Sequence, residues 1–156
     1  HGPNTSIDVI YSGTVSGAVE GMFSGIPSMA VSLNSWDYSE DCTNAARCTI
    51  KIAKYLSNIV LPEGTILNVN IPVNEIRGIR LTKQSKSVWK DSYEKRTDPF
   101  GRDYYWFAGD YFPHNGDPDT DDAALNEGYA SITPIHFEFT NNDFLEELKK
   151  IGTNFS

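Results

Sequence analysis

The fold is decided by the stretch Tyr11-Ser-Gly-Thr-Val-Ser-Gly-Ala-Val-Glu-Gly-Met-Phe-Ser-Gly-Ile-Pro27, in which two hydroxyls and a glycine precede a helical pattern. The apolar residues recur at the i, i+3, i+4, i+7, i+8 spacing of an amphipathic helix: Val15, Ala18, Val19, Met22 and Phe23. Gly25 and Pro27 should end this helix. The apolar run at residues 28–33 then predicts a strand covered on both faces.

The following residues repeat this alternation of helix and strand. A second helical stripe runs from Ala45 to Ile59 and is ended by Pro62 and Gly64. Residues 66–71 alternate apolar and polar side chains, as a strand does. Helix, strand, helix, strand over residues 7–72 predicts an α/β fold, with these elements as the last units of a doubly wound parallel sheet.

The second half of the chain is richer in strand signals. Residues 78–82 predict a strand, and residues 87–97 and 103–110 flank the turn Asp98-Pro-Phe-Gly101, which predicts a hairpin. This hairpin is rich in aromatic residues: Trp89, Tyr93, Tyr104, Tyr105, Trp106 and Phe107. Because an isolated hairpin is marginally stable in water, we expect its aromatic surface to pack on something else, such as another subunit.

The chain ends in a predicted strand and helix. Residues 129–140 alternate as a strand, in which Pro134 marks an edge or a bulge. Asn141 or Asn142 is expected to cap the last helix. Four apolar residues of that helix form a stripe that we expect to be buried: Phe144, Leu145, Leu148 and Ile151.

Composition narrows the function classes. The 156 residues carry a net charge of −8, which disfavours binding to a nucleic-acid polymer. No apolar run reaches the roughly 20 residues that cross a bilayer. Cys42 and Cys48 lack the spacing of zinc or redox sites and are interpreted as free thiols, which predicts a soluble cytoplasmic protein. In the alternative, the protein is secreted and the two cysteines are oxidised.

Ser12, Gly13 and Thr14 stand where the first N–H groups of a helix lack backbone partners and the helix dipole is positive. Gly13 allows close approach to the backbone, and both hydroxyls can donate to an anionic oxygen. This is the chemistry of a phosphate pocket. An ordinary capped helix fits the same pattern, since serine and threonine are common caps.

Other motifs give no catalytic signature. The acidic run from Asp117 to Asp122 has Asp122 and Gly128 where a calcium loop needs glycine and glutamate, so a capped helix start fits it better. The three histidines, at positions 1, 114 and 136, are scattered rather than spaced as metal ligands. Neither a Walker loop nor a nucleophile elbow occurs.

Several blocks of the sequence resemble the central motif and later motifs of the SurE (survival protein E) nucleotidases. They follow one another in the family's order: His1-Gly-Pro-Asn4, Asp8-Val-Ile-Tyr-Ser-Gly-Thr-Val15, Ala18, Glu20-Gly21, Gly25-Ile-Pro27, Ala30-Val-Ser-Leu33, Leu67-Asn-Val-Asn-Ile-Pro72, Gly78-Ile-Arg80, Asp119-Thr-Asp-Asp-Ala123 and Gly128-Tyr-Ala-Ser-Ile-Thr-Pro134. The resemblance covers nearly the whole chain.

The resemblance implies a divalent-metal-dependent phosphatase, using Mg or Mn, that removes phosphate from nucleoside 5′- and 3′-monophosphates. It implies a Rossmann-like α/β fold that here lacks its N-terminal βα units. Residues 1–77 would be the later part of the catalytic domain. Residues 78–156 would then form a β-rich oligomerisation part, with an extended hairpin at about 83–110 and a C-terminal helix. Hairpin and helix would exchange between subunits of a dimer or tetramer.

By the same resemblance, Asn4, Ser12, Gly13 and Thr14 would line the phosphate side of the active site. The family's metal ligands would all precede His1, so no metal ligand and no catalytic residue is assigned in this chain. Since the sequence begins at His1 and not at Met, we expect either a removed leader or the later part of a longer chain, inactive on its own. The alternative is a shortened, non-catalytic module that binds an anion or nucleotide and assembles.

Overall fold

The computed structural model describes residues 2–113 and 116–152, with only the backbone of Trp89. Within these ranges a 3-10 helix at Ser6–Tyr11 comes first, followed by helices and strands in this order: α1 (Gly13–Phe23), β1 (Met29–Asn34), α2 (Thr43–Leu56), β2 (Thr65–Pro72), β3 (Gly78–Leu81), β4 (Val88–Thr97), β5 (Asp103–Phe112), α3 (Asp121–Asn126), β6 (Tyr129–His136) and α4 (Asn142–Ile151). The α/β fold class is confirmed, and none of the described helices is long and apolar enough to span a bilayer.

Helix α1 forms as its sequence predicts. The Ser12 hydroxyl oxygen accepts a hydrogen bond from the Val15 N–H at 3.1 Å, which caps the helix. The helix buries Val15 and Ala18, which belong to a core cluster that includes Ile66 of β2. After Phe23 the chain turns through Gly25, whose φ of +76° is a conformation that favours glycine.

The main sheet has the strand order β1, β2, β6, β3. Strands β1 and β2 are parallel, joined through α2, as the alternation of helix and strand predicts. Strand β6 is antiparallel to β2 and parallel to β3, so the sheet is mixed. Pro134 is therefore not on an edge strand. However, β3 pairs with β6 only as far as Ile132, and Pro134 faces a partner strand on the β2 side alone.

The two faces of the sheet differ in character. One face carries Leu67, Val69 and Ile71 and packs against Cys48 and Ile52 of α2. On the other face of β2, Ile66 packs under α1, whereas Asn68 and Asn70 are fully buried amides. The polar end of this face lies toward the carboxyl ends of the parallel strands β1 and β2, where ligands bind in α/β sheets.

The predicted hairpin is confirmed. Strands β4 and β5 pair antiparallel as a separate two-stranded sheet, from Val88 opposite Phe112 to Thr97 opposite Asp103. At its tip, the Asp98 carboxylate accepts hydrogen bonds from the backbone N–H groups of residues 100 and 102. Its described aromatic side chains stay exposed in the single chain: Tyr93, Tyr104, Tyr105, Trp106 and Phe107.

Helix α4 corrects one expectation. Asn141 caps it, accepting from the Phe144 N–H at 3.0 Å, as predicted. Its apolar stripe is not buried, however: Phe144 is 52% exposed and Ile151 is 78% exposed. Helical periodicity identifies the apolar face of a helix but not what covers it, and within the described residues nothing buries this one. The division of the chain at residues 77 and 78 stays a prediction.

Candidate functional site

A cleft of about 1160 Å³ lies between the 3-10 helix and the base of the hairpin. Asn4, Asp8 and Ser12 line one side, and Asp91 and Tyr111 of the hairpin strands line the other. The 3-10 helix at Ser6–Tyr11, which the sequence pattern does not predict, places Asp8 in this lining. The structure thus brings two of the four expected site residues, Asn4 and Ser12, into one cleft.

The head of α1 lies at this cleft. Ser12 is buried, whereas Gly13 and Thr14 are exposed and stand beside the lining residues rather than among them. Within the described residues, the backbone N–H groups of Gly13 and Thr14 have no protein hydrogen-bond partner. A Cβ atom added at Gly13 would meet nothing within 4 Å. The first turn of α1 is therefore open to an approaching anion.

Ser12 serves as the ordinary cap that the sequence also allowed. Its hydroxyl oxygen is occupied by the Val15 N–H. Since that bond uses the oxygen as an acceptor, the hydroxyl proton stays available to donate. The cap and a role as an anion contact are therefore compatible at the same side chain.

Asn4 is fixed by side chains of the sheet. Its N–H donates to the Asn70 side-chain oxygen at 2.7 Å, and its side-chain amide donates to the Ser32 hydroxyl at 2.5 Å. Its carbonyl accepts from the side-chain amides of Asn68 at 2.6 Å and Asn70 at 3.0 Å. These bonds hold Asn4 at the edge of the cleft.

The carboxylates of Asp8, Asp91 and Asp122 all line the cleft. Partial burial, together with the nearby charges of Asp122 and Asp91, raises the pKa of Asp8. Burial would also raise the pKa of Asp122, but hydrogen bonds from Ser87 and Tyr111 outweigh it and hold that pKa below its usual value. These carboxylates repel a phosphate dianion, so a bound phosphoryl group fits the open first turn of α1 better than the part of the cleft next to them.

Asp121 links three segments of the chain through its buried carboxyl group. It is fully buried and accepts backbone N–H bonds from Ser6 at 3.1 Å and from Ser85 and Asp122 at 2.9 Å. Despite these bonds, burial raises the pKa of Asp121 to about 6. The predicted capped helix start is also present, since the Thr120 hydroxyl caps α3.

A metal ion needs several donor side chains grouped around one point. Within residues 2–113 and 116–152, no group of three or more His, Cys, Asp or Glu side chains could hold a metal ion. These residues therefore do not fit a metal ion on their own. His1 and His114, two of the three histidines that the sequence shows as scattered, lie outside the described residues.

Sequence reasoning missed four residues that support this region. The sequence pattern predicts Ser32, Asn68 and Asn70 only as strand positions, and Asp121 only as part of a helix start. A signal was present: two asparagines alternate with apolar residues in a strand whose neighbours are apolar. Such a pattern does not tell whether the polar face meets water or a covering segment.

Comparison with known proteins gives one family. The model of the family described as "Survival protein SurE" matches residues 1–91. The protein named 5′-nucleotidase SurE from Pelotomaculum thermopropionicum is 46% identical over 151 residues, 96% of this chain and 58% of that protein. The protein of the same name from Fervidobacterium nodosum is 44% identical over 161 residues, 99% of this chain and 61% of that protein.

A solved structure shows the same likeness. The crystal structure of SurE protein from Aquifex aeolicus matches with a TM-score of 0.81 and 39% identity, over 97% of this chain and 62% of that chain. The matched chain thus spans about three fifths of the length of these relatives.

Proposed function

The chain belongs to the SurE family, and from that premise we propose that it forms part of a phosphomonoesterase that hydrolyses nucleoside 5′- and 3′-monophosphates to nucleoside and phosphate. The names of its relatives support a nucleotidase. The reaction is proposed to be in-line attack of water on phosphorus, without a covalent intermediate.

One observation carries this proposal: the open first turn of α1. The unpartnered N–H groups of Gly13 and Thr14 point outward from the positive end of the helix dipole, with open space in front of Gly13. A phosphoryl group accepts several hydrogen bonds and carries the charge that such a helix end stabilises. Asn4 and the Ser12 hydroxyl would add side-chain contacts to the same group.

A divalent metal, Mg or Mn, is part of the proposal through the resemblance. The described residues do not supply its ligands, and the resemblance implies that those ligands precede the position of His1. This chain would then contribute the phosphate contacts, and the polypeptide before it would contribute the ion. A cytoplasmic location is proposed as well, because Cys42 and Cys48 are free thiols.

Phosphate release tests the proposed function. We expect the chain, joined to the segment that precedes the His1 position in its Pelotomaculum relative, to release phosphate from nucleoside monophosphates when Mg or Mn is added. The chain alone should release at least 100-fold less, because its described residues supply no set of metal ligands. The measurement is a phosphate assay over a series of divalent ions, with chelator as the control.

Failure of the joined protein on every nucleoside monophosphate would contradict the proposed activity. The alternative function, a non-catalytic module that binds anions or nucleotides, would gain support if the chain alone bound a nucleoside monophosphate while the joined protein stayed inactive. The open helix end is compatible with both the enzyme and the binding module, so only a measurement of phosphate release distinguishes the two functions.

We also propose self-association, as a dimer or tetramer, through the hairpin and α4. Both present apolar side chains that the single chain leaves uncovered, including Tyr105 at 65% and Trp106 at 53% exposure on β5. On α4, the exposed stripe faces away from the polar residues of the same helix. A second copy of the chain would bury both surfaces.

Replacing Leu148 with glutamine is expected to weaken this self-association at least tenfold, because it removes an apolar side chain from the centre of the α4 stripe. Lys150→Gln, on the opposite side of the same helix, is the matched control and should leave the assembly unchanged. Sedimentation velocity over a concentration series measures both variants. A monomeric parent protein, or equal behaviour of the two variants, would contradict the proposed interface.

A further inference from the structure

The buried polar end of the sheet lies directly under the segment that carries Asn4. Three side chains on this face, Ser32 of β1 and Asn68 and Asn70 of β2, each bond to Asn4. Asn68 and Asn70 are both 0% exposed, and Ser32 is 7% exposed. Burying polar groups is unfavourable unless they are hydrogen-bonded, so an apolar face would be the simpler solution for stability alone.

The contact between Asn70 and Asn4 is bidentate. The Asn70 side-chain oxygen accepts from the Asn4 N–H at 2.7 Å, and the Asn70 side-chain amide donates to the Asn4 carbonyl at 3.0 Å. One side chain thus satisfies both backbone groups of one residue, as a neighbouring strand would. Because Asn70 stands on a central strand, this pair fixes Asn4 relative to the rigid sheet.

Two further contacts fix the remaining freedom of the segment. The Asn4 carbonyl takes a second amide donor from Asn68, and the Ser32 hydroxyl sets the orientation of the Asn4 side chain. At the start of the segment, the Gly2 N–H donates to the Ser35 carbonyl at 2.9 Å. Gly2 has a φ of +93°, and a Cβ there would meet the Trp36 ring, so the backbone passes very close to that ring.

We propose that Asn70, together with Ser32 and Asn68, is a positioning residue of the reaction: it holds the Asn4 backbone so that residues 2–4 keep a fixed place beside the head of α1. This inference rests on the proposed function. Asn70 touches Asn4 and not the substrate, so its effect is on orientation. A displacement of about 1 Å in such a segment can cost a hydrolase about 100-fold in rate.

Asn70→Asp tests the bidentate contact between Asn70 and Asn4 with little change in shape. The ionised carboxylate still accepts from the Asn4 N–H but faces the Asn4 carbonyl with an oxygen in place of a donor. In the joined protein at about pH 8, we expect kcat to fall at least tenfold and KM to change less than about twofold.

The loss in Asn70→Asp should depend on pH. Protonation of the new carboxylate restores a donor, and burial raises the pKa of an aspartate above its ordinary value of about 4. The activity relative to the parent protein should therefore recover at least threefold by about pH 5.5. Dividing by the parent activity at each pH cancels the titration of Asp121.

Val69→Ala is the matched control. Val69 lies between the two asparagines on β2 but faces the opposite side of the sheet, in the α2 core. Its truncation lowers stability through a cavity and leaves the Asn4 contacts in place. We expect this variant to keep its kcat within about twofold of the parent at both pH values. If Asn70→Asp matched Val69→Ala in kcat at both pH values, Asn70 would be merely structural and the proposal would be overturned.

Amide hydrogen exchange gives a readout that does not depend on catalysis. In the chain on its own, Asn70→Ala, which removes the acceptor of the Asn4 N–H, should speed exchange at the Asn4 amide at least tenfold, while Val69→Ala should not, after correction for overall stability. If Asn70→Asp does not fold, Ser32→Ala replaces it. We expect Ser32→Ala to lower kcat, and a kcat equal to that of the parent would overturn the proposal. A parent protein without phosphatase activity would contradict the proposed function alone, because faster exchange in Asn70→Ala would still show that Asn70 holds the Asn4 backbone.

Discussion

Replacing Asp121 with alanine is expected to lower the free energy of unfolding by about 3 kcal/mol or more at pH 5, because three buried backbone N–H groups lose their acceptor. Those groups belong to three separate segments: the start of the 3-10 helix at Ser6, the loop at Ser85 and the start of α3. A loss of this size is a large part of the total stability of a domain. Urea unfolding of the chain measures it.

The pH dependence of this loss has a definite sign. Burial raises the pKa of Asp121 to about 6, so the fold favours the protonated form and loses that stability as pH rises through 6. Between pH 5 and pH 8 the difference in free energy of unfolding between the parent protein and Asp121→Ala should therefore narrow by about 1.5 kcal/mol. Asp119→Ala, in the same loop but exposed, is the control and should change stability by less than about 0.5 kcal/mol at either pH.

Two outcomes would contradict this account of Asp121. One is a loss no larger than that of Asp119→Ala, which would mean that water or other groups replace the lost acceptor. The other is a difference in free energy of unfolding, between parent and variant, that widens with rising pH. It would show that the three N–H bonds lower the pKa of Asp121 in the folded protein below its pKa in the unfolded chain.

The elements that sequence predicted are those specified by neighbouring residues. The Ser12 cap bonds to Val15, three residues away, and the hairpin turn is closed by Asp98 with residues 100 and 102. Such contacts depend on local backbone geometry and on side-chain type, both of which are visible in a short window. The α1 helix and the hairpin are therefore confirmed.

The features that sequence missed depend on distant partners. Asn68 and Asn70 are buried because residue 4 covers them, 64 and 66 positions away in the chain. The antiparallel placement of β6 next to β2 is likewise set by the path of the whole chain. The alternation of polar and apolar residues defines two faces of a strand, but solvent and a covering segment satisfy the polar face equally well.

The candidate site could likewise be predicted only where it depends on neighbouring residues. Ser12, Gly13 and Thr14 could be singled out, because a helix end has known chemistry. The acidic group of Asp8, Asp91 and Asp122 could not, since the fold brings these three residues together from distant parts of the sequence. The assignment of Asn4, Ser12, Gly13 and Thr14 to phosphate binding remains a prediction until a substrate or anion is measured there.

Two glycine variants separate helix stability from phosphate binding. Gly13 and Gly17 lie one turn apart on α1, both are exposed, and a Cβ at either meets nothing within 4 Å. Glutamate at either position should raise stability by about 0.5–1 kcal/mol, because glycine is a poor helix former and a carboxylate near the helix start is favourable. Only at position 13 would the carboxylate occupy the place proposed for the phosphoryl group.

The most direct test of the account is therefore the ratio of kcat/KM between Gly13→Glu and Gly17→Glu in the joined protein. We predict that Gly13→Glu loses at least 100-fold in kcat/KM while folding at least as stably as the parent, and that Gly17→Glu stays within about twofold. Equal kcat/KM values for the two variants would show that the head of α1 does not receive the phosphoryl group.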